Sequence, residues 1–465
     1  MRRTHGKASR LALLAALLPA SGGNAAEREG AAGWRGNGRG EFPEAEPVLK
    51  WNIDNGRFVL WRTKLDFIYS SPVAVALMGK KAGVRVFTMA ELDRLIAVDG
   101  DTGEMLWETV VGFHEAYEGE KRAKGRELFL EAMKLGAEKG RYGRWFVPPA
   151  LAAQCKAAWA ELGSAYHVGP AGHHRYTAPT PACDGKSVYA VVGTGAVGCY
   201  GLDGKRRWVR HHVPAGSASP VLFGDAVAVT EREAADRKSP SCLLALRRDT
   251  GKTIWRAALE RRIWGTPVLV RTGKRLVLVT DNGEVVDTKD GAVLGCVLEL
   301  KKQQSGGSPT VAGDVVYIPY GQYHGVNPNL TVAVKLAARE LWKTEDRLGA
   351  AAQTSPLVVG DRLVVTAEKR TPWIYATATG KELHRTGPCL PFSTWGHRFC
   401  PSPTLAGKHV FLPDFDGRMY VLRLGKEWKI VAENHMGDSM GGSPFFQGKR
   451  MYVRTVSELI CIGEE

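Results

Sequence analysis

A proline preceded by Ser, once by Thr and once by Ala, returns at Pro72, Pro179, Pro220, Pro267, Pro309, Pro356, Pro403 and Pro444, each time opening a short apolar run. The last seven copies are separated by 41, 47, 42, 47, 47 and 41 residues. That is the length of one four-stranded propeller blade, a unit that buries its faces only against neighbours like itself. The repeat therefore predicts an all-β chain folded as an eight-bladed β-propeller.

Each copy keeps one internal order. In residues 71–107, Ser71-Pro72-Val73-Ala74-Val75 opens, Val84-Arg85-Val86-Phe87 and Leu95-Ile96-Ala97-Val98-Asp99 follow, and Asp101-Thr102-Gly103-Glu104-Met105-Leu106-Trp107 closes. The apolar runs have strand length, and the Gly and Asp steps between them are turn chemistry. The closing Trp returns as Trp208, Trp255 and Trp342, where its large apolar area is placed to hold one blade against the next.

With this order the chain resembles the secreted bacterial proteins of the pyrroloquinoline-quinone-like (PQQ-like) propeller repeat family. Its opening is similar to the leader of a branch of that family known only as quinone-binding-like: Trp34-Arg35-Gly36-Asn37-Gly38-Arg39-Gly40, then Trp51, then Asn55-Gly56-Arg57-Phe58-Val59-Leu60-Trp61-Arg62. The resemblance runs from about residue 34 to residue 465 and implies a fold far more than an activity.

The final repeat, from Ser443-Pro444 to Ile462, contains three strands, whereas Phe58-Val59-Leu60-Trp61 precedes the first repeat and carries a closing Trp. A strand near residues 57–62 is thus expected to complete blade eight and close the ring, which removes an open sheet edge. Ahead of it, Arg2, Arg3, Lys7 and Arg10 precede the apolar stretch Leu11–Ala20, and Gly23-Asn24-Ala25-Ala26 offers small residues for cleavage. Residues 1–26 therefore read as a signal peptide, too short in its apolar part to span a bilayer, and residues 27–465 as the propeller. The expected location is periplasmic or secreted, with no transmembrane segment.

Loss of that leader removes four of the charges behind the formal +15, and the remaining excess of Arg and Lys is spread along the chain. Spread charge reads as a solvated face, and no motif supports a nucleic-acid partner. All eight Cys lie beyond residue 26, in a compartment that permits disulfides. Cys183 and Cys199 are expected on neighbouring strands, and Cys389 with Cys400, which enclose a short loop, form the favoured disulfide.

One segment breaks the rhythm. Between Trp107 and Pro179 the chain is far longer than a blade crossover requires, and residues 112–176 read as a helical insertion after the first blade. Glu118–Leu135 forms one charged candidate helix despite Gly125, and Pro149–Leu162 a second. A crossover insertion lies over the propeller face where such loops gather, so a helical cap is expected.

Histidines concentrate in or near the same loops, at His114, His167, His173, His174, His211, His212, His324, His384, His397 and His435. Two uses follow. A transition metal held by a subset of His174, His212, His324, His397 and His435 would polarise a substrate oxygen or carry electrons. Alternatively, Arg175, Tyr176, Tyr323, Trp395 and Arg398 would hold an anionic or sugar-like ligand by charge and ring stacking.

The family resemblance also implies a test for quinone chemistry. Quinoprotein alcohol dehydrogenases of this fold carry adjacent cysteines and a calcium-binding set of Glu, Asn and Asp, neither of which can be placed on this chain, so PQQ is not expected as a cofactor. Asp414-Phe415-Asp416-Gly417 and Asp281-Asn282-Gly283 lack the spacing of a calcium loop and read as hairpin turns. No hydrolase elbow, metalloprotease helix, Walker loop, dinucleotide fingerprint or haem motif occurs. The leading expectation is a scaffold that binds a small molecule, glycan or protein through its capped, His-rich face. A metal-dependent periplasmic enzyme, a quinone-dependent oxidoreductase and an outer-membrane assembly scaffold are the alternatives.

Overall fold

A computed structural model of the chain describes residues 32–66, 70–77, 82–90, 93–137, 179–193, 195–211, 217–232, 240–298, 307–320, 329–336, 339–346, 354–366, 372–384, 401–425 and 428–464. The strands form eight sheets, one per repeat, antiparallel throughout except where the short strand Glu41–Phe42 pairs parallel to the inner edge of blade 7. They occupy residues 73–110, 182–211, 221–258, 268–296, 310–346, 357–384 and 404–435 for blades 1 to 7, and 445–462 together with Val59–Lys64 for blade 8. In that last sheet Val59–Lys64 runs antiparallel to Glu458–Ile462, so the two ends of the repeat array share one blade. The eight-bladed, all-β reading of the sequence is borne out.

The serine or threonine before each strand-opening proline has a defined task. Its backbone N–H donates to the side-chain oxygen of its counterpart in the next blade: Ser71 to Thr180 (3.2 Å), Thr180 to Ser219 (2.9 Å), Ser219 to Thr266 (2.9 Å) and Thr266 to Ser308 (2.8 Å). The series continues from Ser308 to Ser355 (2.9 Å), Ser355 to Ser402 (3.0 Å), Ser402 to Ser443 (2.9 Å) and Ser443 back to Ser71 (2.9 Å). One sequence assignment is corrected here. In blade 2 the repeat is carried by Thr180-Pro181 and not Ala178-Pro179, because the Ser71 N–H donates to the Thr180 hydroxyl and Ala178 has no side-chain acceptor. Every member of the circle is therefore Ser or Thr.

Neighbouring blades meet so closely beside this circle that a Cβ on Gly442 would stand 2.6 Å from the Ser70 carbonyl, and one on Gly265 2.9 Å from that of Gly307. Toward the rim, the closing tryptophans do the joining. The indole N–H of Trp61, Trp107, Trp208, Trp255 and Trp342 donates to the carbonyl of Gly100, Leu202, Arg248, Thr288 and Thr377 respectively, each in the following blade, at 2.7–3.1 Å. Each ring lies on a glycine of positive φ, Gly103, Gly204, Gly251, Gly291 or Gly380, where a Cβ would come within 2.8 Å of it. The Asp-Thr-Gly turns are thus both hairpin chemistry and seats for the tryptophans.

In every blade the outermost strand is bulged at the residue just before this position. The bulge turns Leu106, Ile254, Leu341 and Leu383 outward, where each is 38–48% exposed, and twists the open edge against pairing. Blades 4, 6 and 7 have Gly295, His384 and Ala432 in the Trp register. At the blade 7 to blade 8 seam the leader compensates: Trp51 and Ile53 are buried among Phe411, Met419, Met436, Met440, Phe446 and Met451. The Asn434 side chain holds that segment by accepting from the Trp51 N–H (3.0 Å) and donating to the Leu49 carbonyl (3.0 Å).

Candidate functional site

Two features lie outside the repeat: the root of the insertion, which packs on the outer strands of blade 2, and the leader, which pairs with the inner strands of blades 2 and 7.

The insertion leaves blade 1 through a short turn, Phe113–Ala116, and a helix, Gly119–Ala137. Phe113 and His114 are buried at this root. Gly125, a poor helix residue by propensity, sits where a Cβ would be 2.7 Å from the His114 Cβ, so close packing of the helix on its root accounts for it. Glu115 is the tie. It accepts from Arg122 of the helix (2.9 Å) and from Arg206 of the outermost strand of blade 2 (2.7 Å), with the His114 Nε2 at 3.4 Å. The hydrogen bond from His114 and the charge of Arg122 overcome burial and hold the Glu115 carboxyl at about 2. Tyr117 meets His211 at 6.2 Å between ring centroids and carries Lys121 4.2 Å above its face. His114 and His211 are accordingly structural groups at the root of the insertion.

Of the residues proposed from sequence as ligands, His435 ends the outermost strand of blade 7, is largely exposed and stands 3.8 Å from Glu433. His174, His212, His324, His397, Arg175, Tyr176, Tyr323, Trp395, Arg398 and the pair Cys389 and Cys400 lie outside the described residues, as does the second candidate helix, Pro149–Leu162. Among the described residues no three His, Cys, Asp or Glu come together in a way that would hold a metal ion. Cys183, Cys199, Cys296 and Cys461 are free thiols. Cys183 and Cys199 are not on neighbouring strands: Ser187–Val192 lies between theirs, because blade 2 begins with the two-residue strand Ala182–Cys183. The two acidic turns are hairpin turns, closed at Gly283 (φ 81°) and Gly417 (φ 89°). Asp281, fully buried, accepts the N–H groups of Trp264 and Gly265 (both 3.0 Å), and burial pushes its carboxyl up to about 7.

The leader occupies the channel itself. Ala32 exchanges two backbone hydrogen bonds with Cys183 of blade 2, the chain turns over Gly33–Gly38, and Glu41–Phe42 descends parallel to Thr404–Ala406 of blade 7. Arg35, at the tip, donates to the carbonyls of Pro356 (3.0 Å) and Pro403 (2.7 Å), next to the Ser355 and Ser402 members of the circle. Burial lowers its guanidinium to about 9. The tight turn explains the glycines: a Cβ on Gly36 would strike the Phe42 ring at 2.7 Å and one on Gly40 the Arg35 guanidinium at 2.4 Å. Among the described residues, a cavity of about 130 Å³ lies between Trp34–Arg39 and the inner strands of blades 3 to 5.

That geometry tests the quinone. Arg35, Arg39 and Arg271 carry the charge that a fused-ring tricarboxylate would need, but Arg35 is held by two carbonyls and Arg39 by Glu41 (3.1 Å). The cavity is also below the roughly 300 Å³ at which ordinary small-molecule pockets begin. The described residues of the channel do not fit the group. Sequence reasoning saw the leader motif without its place, and the density of glycines between Gly36 and Gly40 was the available signal.

Ring, bulge and Trp seat define an eight-bladed propeller of one repeated blade, and comparisons with known proteins agree. The model of the family described as outer membrane protein assembly factor BamB matches residues 240–326 and 286–464, and the chain is a PQQ-like β-propeller repeat protein. No curated protein matches the sequence. Among solved structures, BamB from Moraxella catarrhalis superposes with a TM-score of 0.54 at 13% identity, over 87% of this chain and 99% of that one. A europium-containing methanol dehydrogenase gives 0.55 at 10% identity, over 93% and 91%. A quinohemoprotein alcohol dehydrogenase from Pseudomonas putida HK5 gives 0.52 at 10%, over 90% and 78%. At these identities the structural likeness is one of fold.

Proposed function

We propose that this propeller is a periplasmic or secreted scaffold that docks a protein partner on its crossover face, with the insertion as part of the docking surface. The observation that carries the reading is Glu115, which joins the helix of the insertion through Arg122 to the outermost strand of blade 2 through Arg206 and so anchors the root of the insertion on the ring. Leu130, 54% exposed on the cap helix, offers an apolar contact there. The family description, an assembly factor, supports a binding role over a catalytic one.

The test is site-specific photocrosslinking in living cells. A photoreactive residue replacing Leu130 is expected to capture a discrete partner, and the same residue replacing Lys408, in the turn between the first two strands of blade 7 on the opposite face, is not. Capture from Lys408 alone would sink the proposal.

A further inference from the structure

We propose that the central channel is a peptide-binding site whose ligand is the chain's own residues 32–42, and that this occupancy closes the channel to the quinone for which the family is named.

The leader is bound as a ligand would be. It is not part of the repeat, yet it contacts blades on opposite sides of the ring: blade 2 through Ala32 and Cys183, blades 6 and 7 through Arg35, and blade 7 again where the Leu405 N–H donates to the Gly40 carbonyl (2.8 Å). Inner strands all run the same way from the Ser/Thr circle, so a leg antiparallel to Cys183 and a leg parallel to Leu405 run in opposite directions along the channel. The leader is therefore a hairpin inserted from the face opposite the cap, with its Arg35 tip reaching the circle. Recognition is by charge-donated hydrogen bonds to carbonyls and by glycines that permit the fit, which defines the ligand class as a glycine-rich turn with an arginine at its tip.

Two measurements on the full mature chain decide it. In a narrow antiparallel pair that exchanges both hydrogen bonds, the Cα atoms stand about 5.5 Å apart, within disulfide reach. Ala32→Cys is therefore expected to couple to the native Cys183 thiol on treatment with diamide, with the linked peptide identified by mass spectrometry. The unmodified chain and the crosslinked chain are then titrated with pyrroloquinoline quinone and calcium, followed by absorbance. The expected result is a crosslink with the fold retained and no saturable quinone signal from either form. Two separate thiols in a folded chain would overturn the proposal. Saturable, stoichiometric quinone binding would overturn it as well, whether the crosslink abolishes that binding or leaves it intact.

Discussion

The backbone N–H of Ser443 donates to the Oγ of Ser71 at 2.9 Å, across 372 positions of sequence. With that bond a circle of eight Ser/Thr contacts joins the last blade to the first on the same terms as any other pair. The same seam is reinforced farther out, where Trp61, Arg450 and Tyr452 of blade 8 all donate to the Gly100 carbonyl of blade 1, at 3.1, 3.1 and 3.2 Å. The ring is not weakest where the chain's ends meet.

Breaking one link of the circle leaves a donor stranded. Ser402→Ala removes the acceptor of the Ser355 N–H, which is buried. An orphaned buried donor costs about 1–3 kcal/mol. Urea unfolding is expected to show a lower midpoint with an unchanged slope.

The tryptophan seats separate steric contact from backbone conformation. Gly251→Ala brings a Cβ to 2.6 Å from the Trp208 ring at φ 70°, whereas Gly224→Ala, at φ 46°, meets nothing within 4 Å. Both carry the left-handed backbone cost of roughly 1–2 kcal/mol, and only Gly251→Ala adds the clash. Unfolding midpoints are expected to fall further for Gly251→Ala than for Gly224→Ala, and Trp255→Ala to cost about 3–5 kcal/mol.

Two carboxyls give opposite pH signatures. Glu115 is held at about 2 in the fold, so its stabilising effect is complete above its ordinary 4.5 and disappears as pH falls through 2. Glu115→Gln is expected to be less stable than the parent at pH 7, with the difference shrinking toward pH 2. Asp281 is raised to about 7 from 3.8, so its contribution is complete below 3.8 and lost as pH rises through 7. Asp281→Asn should flatten the decline in stability between pH 4 and 7, measured by denaturant titration at each pH.

His435, exposed beside Glu433, is a surface group by its surroundings. His435→Ala is expected to leave stability within about 0.5 kcal/mol of the parent, as an exposed pair of this kind contributes little.

The repeat was legible because proline fixes the backbone at one point of every blade and Trp marks another. Its register in blade 2 was not, since Thr180 lies between two prolines, Pro179 and Pro181, and only the hydrogen bond from Ser71 distinguishes them. The channel hairpin was illegible for a different reason: Arg35 finds its acceptors at Pro356 and Pro403, more than 300 residues away, and no local pattern encodes such a contact. Gly125 was read as weakening its helix, when it marks a close approach of that helix to His114. The proposed ligand histidines rested on loop position alone, and of that set only His435 falls among the described residues.

Hydrogen exchange of the eight circle amides, from Ser71 through Ser443, tests the closed ring most directly. All eight are expected to exchange only through global unfolding, with one opening free energy and one denaturant dependence. Faster, denaturant-insensitive exchange at Ser443 and Ser71, with the other six protected, would mean that the ring opens at its seam and would contradict the account.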